Sequence, residues 1–148
     1  MKVALFDIDG TILVAHGAGR RAMERALLAA VGTTGPGGQH YAGKTDPQIA
    51  REAMRHAGLT DTEIDARMAT VLADYLGHLE AELAARSDEP PALLPGIVAL
   101  LDACEAHDGV VLGLLTGNLV VGAERKLRAV GVDPGRDRKS TRLNSSHT

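Results

Sequence analysis

The sequence predicts an α/β protein: a partial parallel sheet of two strands, with a long helical segment between them. Three observations carry this. Lys2–Phe6 and Val110–Leu115 are short, nearly continuous apolar runs, which suit parallel strands covered on both faces. The stretch between them places apolar residues at spacings of three and four, the period of amphipathic helices. Asp7 and Asp9 follow the first run at once, and open α/β sheets bind ligands at the C-terminal ends of their strands.

The elements follow in order. Gly17–Val31 reads as a helix, with Ala22, Met23, Ala26, Leu27, Ala30 and Val31 as its apolar stripe and Arg20, Arg21, Glu24 and Arg25 opposite. Residues 32–38 hold four glycines and Pro36 and form a loop. Asp46–His56 is a second helix, with Asp46 as N-cap, Pro47 in the first turn and Gly58 ending it. Thr60–Arg86 is a third helical region, capped by Thr60 or Asp61. Its stripe runs through Ile64, Met68, Val71, Leu72, Tyr75, Leu79 and Leu83, and Gly77 is a point for a bend or a split. Ser87–Pro91 is a linker. Pro95 opens a helix through Ile97, Leu100, Leu101 and Cys104, which Gly109 breaks, and Cys104 is expected to be buried in it. Leu119–Val130 is the last helix, capped by Gly131. Two strands are too few for a stable sheet of this kind, so the sheet reads as incomplete.

Composition bounds the function. The chain has 148 residues, 45% hydrophobic and 24% charged, which fits one folded domain with a small insertion and excludes wholesale disorder. No apolar stretch is long enough to cross a membrane, and Asp7 arrives too early for a signal peptide, so a cytoplasmic location is expected. Cys104 is the sole cysteine, which excludes disulfide scaffolds and cysteine zinc sites. The net charge of −3 and an aromatic set of only Phe6, Tyr41 and Tyr75 give no nucleic-acid surface. The sequence leaves the oligomeric state open.

Residues 137–148 stand apart. They have no apolar period, and Asp137–His147 resembles the translation of a common sequencing-library adapter, so this tail is expected to be non-native and mobile. Without its three basic and one acidic residues, the remaining chain carries 13 basic and 18 acidic side chains, a net charge of −5. The natural protein is then expected to continue beyond Arg136, to roughly 200–250 residues.

Two strand ends carry chemistry. Asp7 and Asp9 are two residues apart, so strand alternation would point both to one side. Paired carboxylates repel unless a cation lies between them, and oxygen-only donors suit Mg²⁺. Gly10 allows a sharp turn and Thr11 offers a hydroxyl; a plain strand-to-turn cap explains the same residues. Thr116, Gly117 and Asn118 follow the second strand and precede a helix, which makes either an anion site or an ordinary helix cap.

Leu5-Phe6-Asp7-Ile8-Asp9-Gly10-Thr11 and Leu114-Leu115-Thr116-Gly117-Asn118 together resemble the first and second motifs of the haloacid dehalogenase-like hydrolase superfamily. The resemblance covers residues 1–136. It implies a Rossmann-like core, residues 1–14 and 93–136, and an inserted helical cap, residues 15–92, similar to the phosphoglycolate phosphatase and β-phosphoglucomutase branch.

The implied activity is that of a Mg²⁺-dependent phosphatase acting on a small phosphorylated metabolite. Asp7 would be the nucleophile and Asp9 the general acid and base. Asp7 and Asp9, the latter through its backbone carbonyl, would bind Mg²⁺, and Thr116 with the Gly117 N–H would hold the phosphoryl oxygens. Lys126 is the candidate for the family's third-motif lysine; a solvated helix lysine is the other reading. The acidic pair of the fourth motif is absent, which implies that this chain is inactive on its own. Tyr41-Ala42-Gly43-Lys44-Thr45-Asp46 resembles the cap's specificity loop, and Lys44 would meet the anionic substrate; a simple loop and helix cap is the alternative. A dehalogenase is disfavoured because it needs no acid at Asp9. A sugar-phosphate mutase, or an inactive fragment that only binds anions or a partner, are the competing functions.

Overall fold

A computed structural model of the chain describes residues 1–135 and the backbone of Asn144–Ser145. The expectation of a mobile tail falls largely outside these described residues. Among the described residues two compact units emerge: residues 1–16 with 86–135, and Gly17–Ala85.

The first unit is the α/β core. Strand β1 (Lys2–Phe6) pairs in parallel with β4 (Val110–Thr116), with Lys2 opposite Val110 and Phe6 opposite Leu114. Helix α4 (Ile97–Ala106) leads into β4 and helix α5 (Val120–Ala129) leaves it. Ile97 and Leu101 of α4, Ala123 and Leu127 of α5, Leu112 of β4 and Ile8, Ile12 and Leu13 form one apolar core, and Ala4 and Phe6 of β1 pack against it.

That arrangement corrects one expectation. Strand β1 is not buried on both faces: Val3 and Leu5 are 60% and 53% exposed. Both helices of the unit contribute to the core that Ala4 and Phe6 join, and a strand's alternate residues point the other way. Cys104 is likewise only half-buried.

Two further pairings had no sequence signal. Strand β2 (Leu13–Val14) pairs antiparallel with β3 (Ala92–Leu93), next to the linker that returns from the helical segment. Strand β5 (Asn144–Ser145), inside the tail set aside above, pairs in parallel with Leu115–Thr116 and gives a three-stranded sheet in the order β1-β4-β5.

The second unit is the inserted helical cap, built from α1 (Ala18–Val31), α2 (Asp46–His56) and α3 (Asp61–Ala84). Ala22, Met23, Ala26 and Leu27 of α1, Ile49, Ala53 and Met54 of α2, and Ile64, Val71, Tyr75 and Leu79 of α3 are among its buried residues. Helix α2 spans the expected Asp46–His56, but its cap is not Asp46. Thr45 is its N-cap, accepting the Gln48 N–H at 3.3 Å, and Asp46 occupies the first turn, where an acid meets the positive helix end. Helix α3 runs unbroken through Gly77. Thr60 and Glu63 close a reciprocal capping box: the Glu63 N–H donates to the Thr60 hydroxyl at 3.2 Å and the Thr60 N–H to the Glu63 carboxylate at 3.1 Å.

Candidate active site

The chain leaves β1 into a tight reversal. The Ile8 carbonyl accepts the N–H groups of Thr11, Ile12 and Leu13 at 2.9–3.2 Å, and the Gly10 N–H returns to the Leu13 carbonyl at 2.9 Å. Gly10 sits at φ 78°, a left-handed conformation that a side chain would strain. Ile8, between the two acids, is fully buried and anchors the turn in the core, while Asp7 and Asp9 stay exposed. Asp7 begins where β1 ends, and its Oδ1 accepts the Ile8 N–H at 2.8 Å.

Asp9 is drawn to the end of β4. Lys126 on α5 donates to both its oxygens, at 3.1 Å and 2.9 Å, and the Asn118 Nδ2 donates to the second oxygen at 2.9 Å. The Lys126 ammonium also donates to Asn118 Oδ1 at 2.7 Å. Asn118 in turn holds Thr116, whose Oγ1 accepts from the Asn118 N–H at 3.1 Å and from Nδ2 at 2.7 Å. Gly117 bends the chain between those two residues. Asp9, Thr116 and Asn118 at the two strand ends and Lys126 of α5 thus share one hydrogen-bond network.

Its electrostatics are lopsided. The Lys126 side chain is 6% exposed and the Asp9 side chain 50%. A buried ammonium needs a counter-charge and acceptors for its protons. Lys126 has three N–H groups, and two Asp9 oxygens and one Asn118 oxygen receive them. The solvated-lysine reading does not hold for this residue. The clue was its place on the apolar stripe of α5, three residues after Ala123 and next to Leu127.

Asn118 is the residue that sequence reasoning left without a role. Its signal was weak: an amide two residues after a strand-end hydroxyl, in a segment where asparagine commonly serves as a turn or cap. Only the approach of Asp9 and Lys126 shows what the amide does.

Lys44 belongs to the helical cap unit, in a turn closed by its N–H on the Tyr41 carbonyl at 3.2 Å. Its ammonium pairs with Glu52 at 2.6 Å, and Gln48 donates to the other Glu52 oxygen at 3.2 Å. The Lys44 contact holds the Glu52 carboxyl below its usual value. Nearby, the Arg20 guanidinium stacks 4.0 Å over the Tyr41 ring, and burial pushes the Tyr41 hydroxyl up.

The residues present fit a hard divalent cation in donor type, since Asp7 and Asp9 offer oxygen donors at one strand end. They fall short in number: among the described residues no group of three or more His, Cys, Asp or Glu side chains gathers to hold a metal ion. No helix among them is long and apolar enough to cross a membrane.

An α/β sheet with acids at the end of its first strand, a hydroxyl and a buried lysine at the next, and a helical insertion between them defines the class of protein. The haloacid dehalogenase-like hydrolase family matches residues 4–143, and the chain belongs to it. No curated protein sequence matches the chain.

Solved structures share the fold. A predicted phosphoglycolate phosphatase from Haemophilus somnus superposes with a TM-score of 0.61 at 19% identity, over 97% of this chain and 61% of that one. CbbY from Rhodobacter sphaeroides in complex with phosphate gives 0.58 at 21% identity, over 99% of this chain and 64% of that one. A variant of CbbY in complex with xylulose-(1,5)bisphosphate gives 0.58 at 20% identity, with the same coverage of 99% and 64%. The chain therefore spans less than two thirds of the length of these structures.

Proposed function

We propose that the protein is a Mg²⁺-dependent phosphatase that hydrolyses a small-molecule phosphate monoester through an aspartyl-phosphate. The observation that supports this best is the network in which Lys126 and Asn118 tie Asp9 to Thr116, joining the two motif strands at their C-terminal ends. The neighbours in complex with phosphate and a sugar bisphosphate fit a small phosphorylated metabolite as substrate.

In this reading a carboxylate oxygen of Asp7 attacks phosphorus, and the ester P–O bond breaks as Asp9 protonates the leaving oxygen. Asp9 then takes a proton from water as that water attacks the aspartyl-phosphate, releasing inorganic phosphate and restoring Asp7. Asp9 accepts three hydrogen bonds in the structure, two at Oδ2 and one at Oδ1, which leaves a lone pair on Oδ1 to carry the proton. Thr116 and the Gly117 N–H hold the phosphoryl oxygens, and Lys126 supplies positive charge behind Asp9. Asp7 and Asp9 would hold Mg²⁺, which supplies charge neutralisation for the phosphoryl group. Lys44, whose ammonium pairs with Glu52, is the candidate in the helical segment for meeting the substrate anion.

The 148-residue chain is itself inactive in this reading, because its described acids make only part of a metal shell. The test uses a generic aryl phosphate. A form of the protein extended to the length of its structural neighbours should turn it over, stop with EDTA, and stop with Asp7→Asn at unchanged helical circular dichroism. Near-normal turnover by Asp7→Asn overturns the nucleophile, and comparable turnover by the 148-residue chain overturns its inactivity.

A further inference from the structure

Asn118 takes part in none of the steps above, yet it is buried and every polar atom of its side chain is engaged. We propose that Asn118 is a positioning residue that fixes the Thr116 hydroxyl as an obligatory hydrogen-bond donor, preset for an oxyanion. The inference rests on the reading of Thr116 as the anion-holding hydroxyl.

The geometry works from Lys126 inward. An ammonium can only donate, so the Asn118 oxygen must face it, at 2.7 Å. The amide nitrogen is then forced to the other side, where it meets Asp9 at 2.9 Å and Thr116 at 2.7 Å. Turning the amide over would set its oxygen against the Asp9 carboxylate and its N–H groups against the ammonium, two repulsions in a buried site. The buried charge on α5 therefore fixes the orientation of an amide eight residues earlier.

Thr116 feels the consequence. A hydroxyl oxygen has two lone pairs and one proton. The Asn118 N–H and Nδ2 both donate to this oxygen, at 3.1 Å and 2.7 Å, which fills its accepting capacity. Asn118 presents no acceptor on that side, so the Thr116 proton is directed elsewhere. A phosphoryl oxygen, which can only accept, finds this hydroxyl already oriented. A ligand group that can only donate finds no lone pair. Preset donors need no reorganisation when charge arrives, which is the condition under which they act most strongly.

A double-mutant cycle on the 148-residue chain tests this, with inorganic phosphate in MgCl₂ buffer as the probe and ¹H–¹⁵N NMR of the Gly117 amide as the readout. Thr116→Val should weaken phosphate binding. Asn118→Ala should weaken it by about threefold to tenfold, the size of one hydrogen bond's net contribution. On the Thr116→Val background, Asn118→Ala should change affinity by less than about twofold, because its effect passes through the missing hydroxyl. An equal loss on both backgrounds would show that Asn118 merely supports the loop, and would overturn the inference while leaving the Thr116 reading intact. No saturable response in the unsubstituted chain, or an unchanged affinity for Thr116→Val, would overturn the Thr116 reading and the inference with it. The amides of Ala123–Leu127 report whether α5 stays packed; where Asn118→Ala disturbs them, Asn118→Ser takes its place in the cycle.

Discussion

Replacing Asp9 by alanine should destabilise the α/β unit more than replacing Lys126 by methionine, although the two side chains form one ion pair. The reason is their unequal burial: the Lys126 side chain is 6% exposed and that of Asp9 50%. Without Asp9, a buried ammonium keeps Asn118 Oδ1 as its only remaining acceptor in the network. Removing one partner of a buried pair costs about 3–5 kcal/mol, and solvent access through the open Asp9 side reduces this to about 2–3 kcal/mol. Without Lys126, Asp9 turns to water and keeps the Asn118 N–H, while methionine fills the stem's place beside Leu127. That loss should stay near 1 kcal/mol. Hydrogen exchange of the α5 amides measures the opening free energy of this unit without interference from the helical cap. Equal losses, or a larger one for Lys126→Met, would refute the argument from burial. A loss below about 1 kcal/mol for Asp9→Ala would show that the lysine stem swings out to solvent and that the network is not what holds it.

Other outcomes follow from separate features. Leu79→Ala, at a fully buried position of α3, should destabilise the helical cap by about 2–5 kcal/mol in urea unfolding followed at 222 nm; a loss under 1 kcal/mol would mean that the helices repack. Glu52 has its carboxyl lowered by Lys44, so the stabilisation is complete above the ordinary glutamate value and fades as pH falls through the lowered one. The urea midpoints of the unsubstituted chain and Lys44→Met should therefore converge as pH falls from above the ordinary glutamate value to well below it, and a gap that persists at the acid end would contradict it. The exposed Val3 and Leu5 should make the chain self-associate, and a Val3→Thr, Leu5→Thr double variant should lower light scattering at equal concentration.

Local chemistry made much of this protein legible. The helix starts were written in Thr60 and Pro47, and the stripe Ile64, Val71, Tyr75, Leu79 named the face of α3 that is buried. The apolar runs at Lys2–Phe6 and Val110–Leu115 marked strands because a hydrophobic run of that length, ended by acids or glycine, has few other uses. The bounds of helix α2 were legible but its cap was not, since Thr45 and Asp46 are both good caps and only backbone geometry separates them. The two-residue strands β2 and β3 left no trace, because two residues are too few to show a period.

The sequence by itself determined that two acids stand at a strand end and that a hydroxyl stands at another. Those placements depend on neighbours in the chain. What joins them depends on neighbours in space. Asp9 and Lys126 lie 117 residues apart, and no local pattern says that they meet. The fold decides it by laying α5 against the same core that anchors Ile8 between the two acids. The same packing decided which side of β1 is covered. Val3 and Leu5 are as apolar as any core residue, but burial follows from where helices land, not from the side chain's own character. Lys126 is the converse: a charged residue on an apolar stripe, made tolerable by partners that only the tertiary structure brings within 3.1 Å.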